Sequence, residues 1–153
     1  MATPEERLAA LGLAVPEVAK PVAAYVPAVR SGQHIFTAGQ LPMRDGALIA
    51  TGKLGADVST DLGVQCAAQC ALNALAAVRS LTGNLSAVTR VVKVVAFVAS
   101  TPDFTAQPQI ANGASELIGE VFGDAGIHAR SAVGVSVLPL DAPVEVELVV
   151  EVA

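Results

Sequence analysis

Residues 129–152 read ARSAVGVSVLPLDAPVEVELVVEV, and this stretch decides the fold. It divides at Pro139-Leu140-Asp141-Ala142-Pro143 into two runs dense in β-branched residues, which predicts strands over Ala129–Leu138 and Val144–Val152. In the second run Val144, Val146, Leu148, Val150 and Val152 alternate with Glu145, Glu147 and Glu151. A period of two puts the aliphatic set on a core face, and leaves the other face to solvent, a site or an interface.

Upstream, Thr89–Val98 is a near-continuous aliphatic run and predicts a strand covered on both faces. Before it, apolar residues recur at helical period from a cap at Ser59-Thr60-Asp61 to Gly83, predicting a long helix. A second helix is expected between Phe104 and Gly123, interrupted by Pro108 and continuing from Asn112 through Phe122. Tyr25–Arg30 and His34–Gln40 form a predicted hairpin about Ser31-Gly32-Gln33, and Met43–Ser59 reads as loop punctuated by Asp45-Gly46, Gly52 and Gly55. Thr3-Pro4-Glu5-Glu6 fits a capping box opening a short helix that stops at Gly12, with an irregular lead-in over 13–23. The order ββαβαββ is that of an α+β fold, a mixed sheet with helices on one face. Its other face then needs a cover.

Composition sharpens that need. The chain has 153 residues, 53% apolar, 15% charged and 3% aromatic. Disorder is excluded, a large core or interface is favoured, and no apolar run approaches the roughly 18 residues of a membrane span. A net charge of −5 without a basic run is the opposite of a nucleic-acid footprint. The acidic amino terminus lacks the features of an export signal, so a cytoplasmic location is expected. Cys66 and Cys70, four apart on one helix face, read as small buried thiols; no metal set and no nucleotide-binding loop is found.

Arg130 opens an otherwise uncharged strand. A guanidinium keeps its charge, so it either pairs with Glu145 or Glu147, lies in solvent at the strand end, or grips a small carboxylate with its planar fork. Glu145 is either one more residue of a polar face or a general base that orients water. Tyr25, the only tyrosine, is either half-buried packing or a hydroxyl aimed at substrate. His34 and His128 have no serine or acid spaced as a triad and read as surface or turn residues.

These motifs resemble the RidA family, also called YjgF or L-PSP. The resemblance rests on Tyr25-Val26-Pro27-Ala28-Val29, Thr37-Ala38-Gly39-Gln40-Leu41-Pro42, Ala71-Leu72-Asn73-Ala74-Leu75, and above all on Ala129-Arg130-Ser131 with Leu138-Pro139 and Val144-Glu145-Val146-Glu147. It covers residues 22–153. It implies a single chorismate-mutase-like domain over 1–153, with residues 1–21 as an N-terminal helix and lead-in typical of a longer sub-branch, and a homotrimer with clefts between subunits. It also implies cofactor-independent hydrolysis of reactive enamine or imine 2-carboxylates to 2-keto acids and ammonia. In that scheme Arg130 grips the substrate carboxylate, Glu145 positions the attacking water, and Tyr25, Gly39 and Asn112 line the pocket. The sequence departs from the family at Ala38, where the family has Ser, and at Ala132, where it has Cys; Ala106–Ala111 reads as an insertion before Asn112. These departures leave open a trimeric carboxylate-binding or regulatory protein without turnover.

Overall fold

The computed structural model describes residues 1–20 and 24–153. Its elements are α1 (Pro4–Ala10), β1 (Ala28–Ser31), β2 (His34–Thr37), β3 (Met43–Arg44), β4 (Ala47–Leu48), α2 (Thr60–Thr82), β5 (Val88–Ala99), α3 (Gln107–Phe122), β6 (Ala129–Val135) and β7 (Val144–Val152). Among the described residues five strands form the main sheet, in the order β1-β2-β7-β5-β6. The pair β5·β6 is parallel, joined through α3, and the other pairs are antiparallel. The predicted mixed sheet is therefore present.

β7 lies at its centre, and its five aliphatic side chains are buried as the alternation requires. They pack under α2 and α3 together with Ile35, Val91, Val94, Ala96 and Val98. α2 starts where Ser59 Oγ accepts from the Leu62 N–H, and ends at Gly83 with φ 81°, a left-handed position that glycine takes without strain. Small residues on α2 and α3 let the helices approach closely, most tightly at Gly113, where an added Cβ would collide with the carbonyl oxygen of Val64. The Thr3/Glu6 capping box is formed as predicted.

Four expectations are corrected. β1 begins at Ala28 rather than Tyr25, since Pro27 has no N–H to give a ladder. The segment 43–59 is not all loop: β3 and β4 pair through Asp45-Gly46, at φ 53° and 83°, the two positive values of a tight hairpin turn. Pro108 does not interrupt the second helix but occupies its first turn, where its missing N–H costs nothing, and the 106–111 insertion becomes the start of α3. β6 stops at Val135, short of Leu138. Of the 13–23 lead-in, residues 13–20 are irregular and Pro21 to Ala23 lie outside the described residues.

β5, expected to be covered on both faces, is covered on one only within the chain, because both helices lie on the same side of the sheet. The open face presents Val95 and Phe97, flanked by exposed Phe36, Val29 and Val133 and by Glu145 and Glu147. This is the uncovered sheet face expected from the topology.

Candidate active site

The candidate residues fall into two groups, and sheet register separates them. Arg130 pairs with Val94, which pairs with Leu148; these residues project to the face covered by the helices. Glu145 pairs with Phe97, which pairs with Val133, on the open face. One subunit thus holds the candidate grip and the candidate base on opposite faces of one sheet. Among the described residues Arg130 has no carboxylate partner, and β5 lies between β6 and β7, so the pairing of Arg130 with Glu145 or Glu147 does not occur.

Arg130 instead leans on α3. Its Nη1 donates to Asn112 Oδ1 at 2.7 Å and to Ser115 Oγ at 3.2 Å, and its Nη2 to the Pro108 carbonyl at 3.3 Å. Arginine has five N–H donors in a rigid fork. With three engaged, one on Nε and one on Nη2 are left, the two nitrogens that grip a carboxylate side-on. Asn112 is one helical turn before Ser115 and so shares its face, which places it beside Arg130.

The second group surrounds Glu145. Between the pairs Phe36↔Val149 and Gln40↔Val146 the β2 side carries one residue more than β7, a bulge that swings Gly39 over the final strand. Gly39 sits so close to Glu145 that a Cβ there would lie 2.6 Å from Oε2. Gly39 also lines a cavity of about 180 Å³ with Tyr25, Pro27, Gln40, Leu41 and Leu140. Tyr25, Gly39 and Glu145 are therefore neighbours on this side. Partial burial, and then the charge of Glu147 two residues on, hold the Glu145 carboxyl above its ordinary value. A carboxylate made more basic in this way suits proton abstraction near neutral pH.

The other polar candidates have structural partners. Thr37 is buried and its Oγ1 accepts from the Leu148 N–H at 3.0 Å, so it does not replace the hydroxyl lost at Ala38. His34 is a surface residue 4.0 Å from Glu151. Cys66 and Cys70 are free and buried as expected; burial pushes the Cys66 thiol up to about 11 and the Cys70 thiol well above its ordinary value. His128, read from sequence as a surface or turn residue, is half-buried and bonded to Ser115 and to Gly126. The partnership joins residues 13 apart, Ser115 on α3 and His128 in the connection before β6, and no short motif marks it.

This fold and the 129–152 motif have counterparts. The family model described as "YjgF/chorismate mutase-like, putative endoribonuclease" matches residues 5–152. The chain belongs to the YjgF/chorismate mutase-like family. The match takes in α1 from Glu5 onward. Protein TCP17 of Trypanosoma cruzi is 46% identical over 142 residues, spanning 92% of this chain and 89% of that protein. A solved structure of a protein of unknown function from Agrobacterium tumefaciens is 44% identical with a TM-score of 0.92, covering 98% of this chain and 92% of that one. One from Shewanella oneidensis, bearing the same "putative endoribonuclease" description, is 34% identical with a TM-score of 0.96, covering 99% and 100%. Among the described residues no helix of this YjgF-family chain is long and apolar enough to cross a membrane.

Proposed function

We propose that this YjgF-family protein hydrolyses small reactive enamine or imine 2-carboxylates to 2-keto acids and ammonia, in clefts between the subunits of a homotrimer. The observation that carries the reading is the two-donor edge left on Arg130, set against a Glu145 of raised basicity on the opposite sheet face. Two such faces meet only when one copy packs on another. The open apolar face supports that packing, since contiguous exposed apolar surface marks an interaction site.

In the proposed step the Nε and Nη2 edge of Arg130 holds the substrate carboxylate. Glu145 accepts a proton from water as the water oxygen adds to C2 of the iminium. Glu145 passes that proton to the nitrogen of the resulting carbinolamine, and ammonia leaves as the carbinolamine hydroxyl gives its own proton to Glu145 and C2 becomes a carbonyl; loss of that proton to the departing ammonia restores the carboxylate. The iminium carbon is already electrophilic, so orientation and one base supply the catalysis and no cofactor is invoked. Asn112 shares the Arg130 side, while Tyr25 and Gly39 line the Glu145 side.

The test is ammonia and 2-oxobutyrate release from 2-iminobutyrate generated in situ. Acceleration over buffer that is lost in Arg130→Ala supports the reading; a rate equal to buffer, or unchanged in Arg130→Ala, overturns it. Ala38 and Ala132 favour a second reading, carboxylate binding without turnover, in which 2-oxobutyrate binds in an Arg130-dependent way and no ammonia is released. The net charge of −5 gives neither reading a hold on RNA.

A further inference from the structure

Ser115 and His128 have no part in the reaction as written, yet they close a chain of hydrogen bonds onto Arg130. One end of the chain fixes its direction. The Gly126 carbonyl can only accept, so His128 Nδ1, 2.6 Å away, carries a proton and donates it. The neutral ring then has its lone pair at Nε2, into which the Ser115 hydroxyl donates at 2.9 Å. With its proton committed, Ser115 Oγ turns lone pairs toward Arg130, whose Nη1 donates to it at 3.2 Å. The terminal acceptor is itself seated against α3, since a Cβ on Gly126 would lie 2.7 Å from the Ile118 carbonyl oxygen.

We propose that His128, acting through Ser115, is a positioning residue for Arg130: the chain occupies Nη1 and keeps the Nε and Nη2 edge for the ligand carboxylate. A serine hydroxyl without an acceptor is free to turn its proton toward the guanidinium. His128 removes that freedom, so the Arg130 fork is held by oriented acceptors on its Nη1 side. Asn112 gives the second bond to Nη1, and the Pro108 carbonyl fixes the plane through Nη2. The inference rests on reading Arg130 as the carboxylate grip.

Calorimetric titration of the full chain with 2-oxobutyrate, paired with nitrogen NMR of the His128 ring, tests it. Ser115→Ala, which removes one bond to the charged guanidinium, is expected to weaken binding about tenfold, and His128→Leu, which leaves the Ser115 proton without its acceptor, by up to about the same factor. Ser115→Thr, which keeps the hydroxyl, and His128→Gln, which keeps an acceptor, are expected to restore most of it. The His128 ring should carry its proton on Nδ1, and its Nε2 resonance should move on adding 2-oxobutyrate to the wild type but not to Arg130→Ala. Undiminished affinity in Ser115→Ala and His128→Leu, with binding still dependent on Arg130, overturns the positioning role and leaves the grip standing. Wild type that binds no 2-oxobutyrate, or Arg130→Ala that binds it equally, overturns the grip and the positioning role with it. Should the variants not fold, the wild-type spectrum decides, and a proton on Nε2 overturns the chain.

Discussion

At the scale of single residues, Arg130, Glu145 and Gly39 make separable contributions. Arg130→Lys keeps the charge but replaces a planar fork with a point donor, so it should lose at least tenfold in 2-oxobutyrate affinity despite its conservative charge. Glu145→Gln removes the proposed base and should lower turnover by about 10²–10⁴, with 2-oxobutyrate affinity largely kept. The acid limb of the wild-type rate profile should lie above the ordinary Glu value of about 4.3, in the direction of the raised Glu145 carboxyl. The same shift bears on stability. The folded chain binds this proton more tightly than the unfolded chain, so the contribution of Glu145 is full below the ordinary Glu range and is lost as pH rises through the raised value. Thermal unfolding should therefore show Glu145→Gln gaining on the wild type as pH rises from the ordinary Glu range through the raised value. Gly39→Ala meets the flexible end of Glu145 rather than backbone. It should leave the unfolding midpoint little changed while displacing the carboxylate, at a cost in turnover on the order of 10²-fold.

At the scale of elements, the helices are fixed by close contact and the site inherits that fixity. Gly113 follows Asn112 on α3 and allows α3 to approach α2 at Val64. Gly113→Ala should push the helices apart, with roughly 1–3 kcal/mol of destabilisation in urea unfolding and a weaker hold of Asn112 on Arg130. The elements were largely legible in the sequence because their signals are periodic: the alternation of β7, the capped helix 60–82 and the Thr3/Glu6 box follow from local rules. Two shorter signals read less clearly. Asp45-Gly46 has the chemistry of a two-residue hairpin turn, but the strands beside it are only two residues long and show no alternation. Pro108 reads as a break because a proline stops a helix anywhere except in its first turn, and that exception depends on where the helix begins. Within the site, neither the Arg130–Asn112 bond nor the Ser115–His128 bond was legible, since both are made only when α3 packs beside β6.

At the scale of the whole molecule, the small number of charges and the surplus of aliphatic residues are resolved by a sheet with one covered and one open face. Phe36 and Val133 remain 49% and 46% exposed in the single chain, and with Val29 they make an open apolar surface of the kind that marks an interaction site. Light scattering should give three times the mass of the 15.4 kDa chain, and a charge placed at Phe97, as in Phe97→Glu, should shift it toward monomer and lower turnover together. Because Arg130 and Glu145 lie on opposite faces of one sheet, a site shared between subunits can be rebuilt from two defective chains. Arg130→Ala and Glu145→Gln chains, each inactive alone, are unfolded together, refolded as a mixture, and assayed for ammonia release from 2-iminobutyrate, with mixed assembly confirmed by native mass spectrometry. A site drawing Arg130 from one subunit and Glu145 from the next should be rebuilt in about a quarter of the positions of an equal random mixture, by the cyclic symmetry of a trimer. Recovery of activity on that order is the predicted result; mixed trimers as inactive as the parents would contradict it.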